Sequence, residues 1–502
     1  MTDIAKAFGG HEIAPETRQF LGNRGKLLIG GKWLDGIDVM ESHDPATGLV
    51  LAEFEIGGEA EIDMAVVAAR AAFEGPWRRM PASERMALMT RLARIMEQNA
   101  RLLTELDILD NGMPSFIANL TTSNCVEMVD YYAGAIMRIE GSTMVPPRHI
   151  AAETEALTYT MKEPVGVVGQ IVPWNVPLST AILKLAPALA AGCTVVMKPS
   201  EETPLSALAL GQMVLDAGFP AGVVNIVNGL GSNAGAALAA HDDVDKISFT
   251  GSTRTGRAII QGAMGNLKKV SLELGGKSPV IVMPDADLNL AIPGVAMATF
   301  FLQGQNCMAG TRIFAHADIH DALLEGMAAF ANGMTLGHGL DPASQQGPMI
   351  SAAHAEKVMG FIDRAKQAGA NLVAGGERLD RAGNFIRPTI FSGCSRDMEV
   401  MRDEIFGPVM AVQKFDMMDV DAIAQLANDT PYGLSGSVWT GDVSTAHRIV
   451  SRVRAGHVSI NCHGAVGTNI PFGGYGQSGW GREFGAAGLE AYLETKAVTA
   501  RL

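Results

Sequence analysis

Hydrophobic positions along the chain change their rhythm twice. Between residues 58 and 113 they recur at helical spacing, in E-A-E-I-D-M-A-V-V-A-A-R-A-A-F from Glu59 and in A-S-E-R-M-A-L-M-T-R-L-A-R-I-M-E from Ala82. The second stretch opens with a Ser-Glu pair that predicts a helix cap. From about residue 164 the rhythm shortens. The β-branched runs V-G-V-V-G-Q-I-V, T-V-V-M-K, V-V-N-I-V and K-I-S-F-T alternate with Ala/Leu-rich stretches, which predicts a parallel sheet wound with helices. A second alternation starts near Pro279 with S-P-V-I-V-M and A-T-F-F-L-Q-G, then T-R-I-F-A-H, P-V-M-A-V-Q-K-F and G-S-V-W-T. At 502 residues the chain exceeds one hydrophobic core, so two large α/β domains and a small appendage are expected.

Charge and cysteine usage narrow the classes open to such a chain. A net charge of -14 with no lysine or arginine run argues against a nucleic-acid partner. No apolar run reaches the roughly 18 residues a membrane span needs, and the N-terminus lacks the apolar core of a signal peptide. The five cysteines lie far apart without a C-x-x-C pair, so neither a zinc site nor a disulfide framework is expected, and reduced thiols fit a cytoplasm. His316 and His320, with Asp318 and Asp321 nearby, suggest a metal site only if H-x-x-x-H lies on a helix. The run follows a strand-like segment and lacks a third ligand, so no metal is expected.

Chemistry concentrates at strand ends. Cys307 lies in F-F-L-Q-G-Q-N-C-M-A-G-T-R, an apolar, glycine-flanked setting suited to a shielded nucleophile, and Glu273 of L-E-L-G-G-K occupies similar surroundings. A thiol with a carboxylate suggests covalent attack on a carbonyl, the carboxylate activating the thiol or a water. Asn175, in V-P-W-N-V-P, either donates to an oxyanion or caps a turn. Lys198 and Glu201 end a strand in M-K-P-S-E, as a ribose-binding acid does in dinucleotide folds, or as a solvated strand end does. Two loops could hold phosphate: G-L-G-S-N-A-G from Gly229 to Gly235, and F-T-G-S-T-R-T-G, where Gly251, Ser252 and Thr253 would open a helix. Each reads equally as a plain strand-to-helix turn. Cys462 and the other cysteines read as packed thiols.

In this order, P-W-N at 173–175, K-P-S-E at 198–201, F-T-G-S-T at 249–253, L-E-L-G-G-K at 272–277, G-Q-N-C at 304–307, E-I-F-G-P at 404–408 and P-F-G-G at 471–474 resemble the aldehyde dehydrogenase superfamily, from near residue 29 to the C-terminus. The resemblance implies a Rossmann-like NAD-binding domain (1–145 and 165–272), an α/β catalytic domain (273–480) and a small β oligomerisation extension (146–164 and 481–502). It makes Cys307 the nucleophile, Glu273 the general base, and Asn175 with the Cys307 amide the oxyanion hole. It also places Trp174, Lys198, Glu201, Gly231, Gly251, Ser252, Glu404 and Phe406 around NAD, demoting the Gly229–Gly235 fingerprint to a border of the adenine pocket. An acid at Glu201 favours NAD, with NADP the weaker alternative.

The substrate pocket implied by this resemblance comprises Val176, Thr180, Leu183, Asn306, Met308, His463, Val466 and Phe472. Relatives acting on small aliphatic aldehydes often carry aromatics at several of these positions, so a wider apolar tunnel is expected. With L-E-A-Y-L-E-T-K and S-G-W-G-R-E, the chain looks most like the phenylacetaldehyde dehydrogenase subgroup, which implies an aryl or long-chain aldehyde. The common P-F-G-G-x-K reads P-F-G-G with Tyr475 and Gly476 here, removing a lysine. A homodimer or homotetramer is implied. CoA-acylating semialdehyde oxidation is a rival, although such relatives usually lack the acid at Glu273; a catalytically silent binding protein on the same fold is another.

Overall fold

The computed structural model describes residues 8–152 and 154–502. The early amphipathic pattern forms helices Glu59–Ala72, Ala82–Gln98 and Ala100–Asn111. In the first, Ile62, Ala65, Val66, Ala69 and Ala72 form the buried stripe, and the Gly58 N–H is satisfied by Glu61 Oε2 at 2.8 Å. The second differs from the sequence expectation. Ser83 lies inside its first turn, because Pro81, which makes no side-chain cap, takes the N-cap position; its ring restricts φ and starts the helix two residues earlier, at Ala82.

Eight strands form the first sheet, in the order Gly479–Trp480, Lys269–Glu273, Lys246–Thr250, Val167–Ile171, Thr194–Lys198, Val224–Ile226, Leu27–Ile29 and Lys32–Leu34. Its five inner strands, from Lys269–Glu273 to Val224–Ile226, run parallel. Parallel strands all end at the same edge, so V-P-W-N, K-P-S-E, N-G-L-G, G-S-T-R and L-G-G-K emerge side by side. The helices Pro177–Ala191, Ala82–Gln98 and Ala100–Asn111 share one apolar core with this sheet, while the buried stripe of Glu59–Ala72 packs in a second core against it.

Seven strands form the second sheet: Asn371–Ala374, Thr389–Ser392, Val409–Phe415, Arg312–His316, Pro279–Val282, Ser435–Trp439 and His457–Ile460. All but the first pair run parallel. The segments carrying Cys307, Glu404 and Lys277 lead into the beginnings of these strands. The C-terminal edge of one sheet therefore faces the N-terminal edge of the other across a seam. A third sheet joins Thr143–Met144, Ala156–Pro164 and Leu493–Arg501, the last two pairing antiparallel from Leu493↔Pro164 to Arg501↔Ala156.

The run A-T-F-F-L-Q-G ends the helix Leu288–Phe300 and then turns left-handed at Leu302, Gln303 and Gly304, with φ of 54°, 58° and 69°. His316 ends a strand and caps the helix Ala317–Gly333. The run from Ala317 is thus helical, directly after the strand-like segment read from the sequence. No group of three or more metal-ligating side chains occurs among the described residues. No described helix is long and apolar enough to cross a membrane.

Candidate active site

Three consecutive left-handed residues turn the chain into Gln305-Asn306-Cys307. Such a conformation costs non-glycine residues about 1–3 kcal/mol each and persists only where surroundings over-determine it. Here Gln303 Nε2 donates to Gly112 O at 3.2 Å, and Gln305 Oε1 accepts the Ile350 N–H at 2.9 Å. Asn175 Nδ2 donates to Gln305 O at 3.1 Å, which brings the side-chain amide to the Cys307 loop. Asn111 in turn holds the Trp174 and Asn175 carbonyls at 2.8 and 3.2 Å. Asn175 therefore braces the Cys307 loop and caps no helix.

Cys307 is partly buried, its Sγ 3.9 Å from Asn306 Oδ1. Burial, then the Glu404 and Glu273 carboxylates, push the thiol up to about 12, against a smaller opposing effect of the Cys307 and Met308 amides. The resting sulfur is a thiol and needs a base.

Glu273 ends the strand Lys269–Glu273, buried, with no hydrogen-bond partner for either carboxylate oxygen among the described residues. Burial first, then the charge of Glu483, raises it well above the ordinary carboxylate range, while Lys184 and Arg482 pull the other way. Lys184 Nζ donates to Glu483 Oε1 at 2.6 Å and to Ser248 Oγ at 3.1 Å. Glycine makes the next turn possible: a Cβ on Gly275 would lie 2.1 Å from Glu404 Oε2, and one on Gly276 would lie 2.5 Å from Cys307 O. The Gly276 N–H donates to Glu404 Oε1 at 2.9 Å, while burial pushes that carboxyl up to about 7.

On the other flank Lys198, buried, donates to Glu201 Oε2 at 2.9 Å and to Gly229 O at 2.8 Å. The Gly231 N–H reaches Glu201 Oε1 at 3.3 Å. Burial would raise Glu201, but the Lys198 charge and these hydrogen bonds outweigh it and hold the carboxyl below its usual range. The strand end is thus not solvated, and the two glycine-rich candidates separate. Gly231 belongs to the Lys198–Glu201 corner, whereas Gly251 and Ser252 open the ten-residue helix Thr253–Gly262, Ser252 Oγ accepting the Thr255 N–H at 3.2 Å.

Trp174, Phe406 and His354 pack edge to face, with Trp174 centroids 5.3 and 5.4 Å from the other two rings. Phe406 has φ of 59°, and His354 Nε2 donates to its carbonyl at 2.7 Å. Burial lowers the His354 pKa, which keeps the ring neutral.

Val176 joins an apolar cluster of Ile108, Met113, Ile117 and Leu302. Thr180 is buried in the helix Pro177–Ala191, and Leu183 packs on the main core. Asn306 Oδ1 accepts the Met308 N–H at 3.1 Å. His463 binds Met308 O through Nε2 at 2.8 Å and Ser437 Oγ through Nδ1 at 2.9 Å; burial pushes it down to about 4, so this neutral ring braces the nucleophile loop. Val466 is exposed and Phe472 buried against Phe484. Gly476, with φ of 56°, would place a Cβ 2.6 Å from Pro431 O, so this turn does not admit a lysine as it stands. Cys462 corrects the packed-thiol expectation. It is exposed, because the chain leaves the strand His457–Ile460 through left-handed Asn461, with φ of 52°.

Sequence reading missed Asn111, Lys184, Gln305, His354 and Glu483. Only Gln305, in G-Q-N-C, carried a local signal, by adjacency to the nucleophile.

The model of the aldehyde dehydrogenase family matches residues 33–498. The chain is similar to the mitochondrial aldehyde dehydrogenase of Homo sapiens, 44% identical over 95% of this chain and 92% of that protein. It is similar to the NAD+ complex of aldehyde dehydrogenase from Bacillus cereus, with TM-score 0.95 and 42% identity over 98% and 99% of the two chains. It is also similar to betaine aldehyde dehydrogenase from Staphylococcus aureus in complex with NAD+, with TM-score 0.94 and 35% identity over 97% of each chain. With its strand-end motifs gathered at one seam and these likenesses spanning nearly its whole length, the chain belongs to the aldehyde dehydrogenase family.

Proposed function

We propose that this enzyme oxidises a bulky apolar aldehyde, aryl or long-chain, to the carboxylic acid with NAD through a Cys307 thioester. The observation that carries this reading is the convergence on one seam of Cys307, the Asn175 amide and a buried carboxylate, Glu273, that has no hydrogen-bond partner among the described residues. Glu273 relieves Cys307 of its proton, burial having raised the carboxylate's proton affinity well above the ordinary carboxylate range. The sulfur bonds to the carbonyl carbon, and the resulting alkoxide receives hydrogen bonds from Asn175 Nδ2 and the Cys307 N–H. When bound, NAD supplies the two-electron hydride acceptor. The re-formed carbonyl is then a thioester. Once the thiol proton has passed from Glu273 to solvent, the carboxylate takes a proton from water, the hydroxide adds to the acyl carbon, and the Cys307 thiolate leaves with the acid as product.

The residues present suit NAD. The ionised Glu201 carboxylate, backed by Lys198, matches adenosine ribose hydroxyls and repels a 2′-phosphate. The helix opening at Gly251 and Ser252 offers amides to pyrophosphate, with Trp174 beside it on the neighbouring strand end. Glu404 and Phe406 would lie by the nicotinamide ribose and ring. In this reading residues 1–145 with 165–272 carry the cofactor, 273–480 the chemistry, and 146–164 with 481–502 the contact that makes a dimer or tetramer. The open edge of Leu493–Arg501 supports the last assignment. All five cysteines are free, consistent with the cytoplasm. Val176 and its apolar neighbours support the bulky substrate.

NADH appearance at 340 nm with acetaldehyde, hexanal, decanal, benzaldehyde and phenylacetaldehyde, each with and without CoA, tests this reading. Higher kcat/KM for the bulky members without CoA is expected. Preference for acetaldehyde would overturn the tunnel argument, and a requirement for CoA the hydrolytic role of Glu273.

A further inference from the structure

The far end of the L-E-L-G-G-K turn borders a narrow cavity whose water-accessible volume is about 10 Å³, lined by Lys277, Ser278, Asn428, Thr430, Tyr432 and Ser435 among others. That volume suits a single water-sized occupant. Lys277, Ser278 and Ser435 are 1%, 2% and 1% exposed, and their Nζ and two Oγ atoms are buried with no hydrogen-bond partner among the described residues. Rim groups, in contrast, are engaged. Asn428 donates to Arg452 O and accepts the Arg454 N–H, at 2.9 and 2.7 Å, and Thr430 Oγ1 accepts the Tyr432 N–H at 3.3 Å.

Charge balance indicates what would fill the cavity. Arg312, also 2% exposed, donates to the carbonyls of Lys277, Leu426 and Ala427. Neither Arg312 nor Lys277 has a carboxylate within ion-pair distance among the described residues. Burial, then the Arg312 charge, pushes the Lys277 amine down to about 7, with Glu404 and Asp403 opposing more weakly. A buried ammonium without a counter-charge is strongly disfavoured. An ammonium has donors only, and each hydroxyl can donate. A water can accept from two of these groups and donate to the third, but it leaves the buried charge uncompensated, whereas a monatomic anion can accept from all three and supplies the missing charge.

We propose that this cavity binds a single halide ion, chloride under physiological conditions, held by the Lys277 ammonium and the Ser278 and Ser435 hydroxyls. The ion would tie down the end of the turn whose middle, Gly275 and Gly276, packs on Glu404 and Cys307 O. Its role is structural, and it takes no part in the oxidation.

Crystals of the full-length enzyme soaked in bromide test the site by anomalous scattering. A peak bounded by Lys277, Ser278 and Ser435, absent in Lys277→Met, is expected. A water there with no anomalous signal, or bromide confined to the surface, would overturn the proposal. In solution, chloride replacing gluconate at constant ionic strength should raise Tm by about 2 °C at tenfold excess over Kd, with a smaller rise in Ser435→Ala, which keeps the fold testable should Lys277→Met not fold. Equal shifts in wild type and Ser435→Ala, or a bromide peak without any chloride effect on Tm, would identify an adventitious ion only and overturn it.

Discussion

Glu201 and Glu273 lie at strand ends on one sheet edge, with two strands between them, yet their surroundings drive them in opposite directions. Glu201 meets an ammonium and a backbone N–H and stays below the ordinary carboxylate range. Glu273 meets neither, and is raised well above it. A carboxylate that must recognise hydroxyls needs to be charged and fixed beforehand, so its partners are built in. One that must take protons from a thiol and a water needs high proton affinity, and the fold supplies that by withholding partners. On the proposed function, one edge of parallel strands thus holds a recognition acid and a catalytic base, distinguished by what packs around them.

Removing groups from either side should break this contrast unequally. Cys307→Ala should lower turnover by about 10³-fold or more while leaving NAD binding, measured by fluorescence quenching, close to wild type; substantial residual oxidation would remove Cys307 as nucleophile. Asn175→Ala should lower kcat by about 10²-fold through a slower acylation step. Unchanged acylation would reduce Asn175 to a brace for the loop. Glu201→Gln should shift the NADP to NAD ratio of kcat/KM toward NADP by about tenfold, as expected for losing one charge–phosphate repulsion near the surface, and an unchanged ratio would refute the ribose assignment. The smallest effect is on stability. A carboxyl whose folded pKa is raised contributes most below its unfolded pKa and loses that contribution as pH rises through the folded value. Glu273→Gln should therefore melt at or above the wild-type Tm at pH 8, and a lower Tm would mean that Glu273 has a stabilising partner.

Sequence pattern made the two α/β sheets legible because β-branched runs and strand-end motifs are local signals. Cys307, Glu273, Asn175, Lys198 and Glu201 were legible for the same reason, each lying next to a strand or glycine turn that announces it. What stayed hidden depends on distant partners. Lys184 and Glu483 are 299 residues apart, and His354 reaches Phe406 across 52; neither pairing leaves a periodicity to read. Cys462 reads as apolar by composition, and only the left-handed Asn461 before it turns it outward. The Ser83 cap lost to Pro81, a conflict between two local rules that sequence alone leaves undecided. Gly231 shows a further limit: its fingerprint suggested a phosphate loop, whereas its amide serves the carboxylate of Glu201.

The division of labour around Glu273 is tested most directly by rapid mixing of Glu273→Gln with NAD and a saturating bulky aldehyde at pH 8, following NADH at 340 nm. A burst stoichiometric with sites but slower to form than in wild type, followed by turnover slowed by about 10²-fold, is the result expected, because Glu273→Gln removes the base from both steps and hydrolysis of the thioester is the one it limits. Loss of the burst together with turnover would contradict this, and would make thiol activation the step that Glu273 controls.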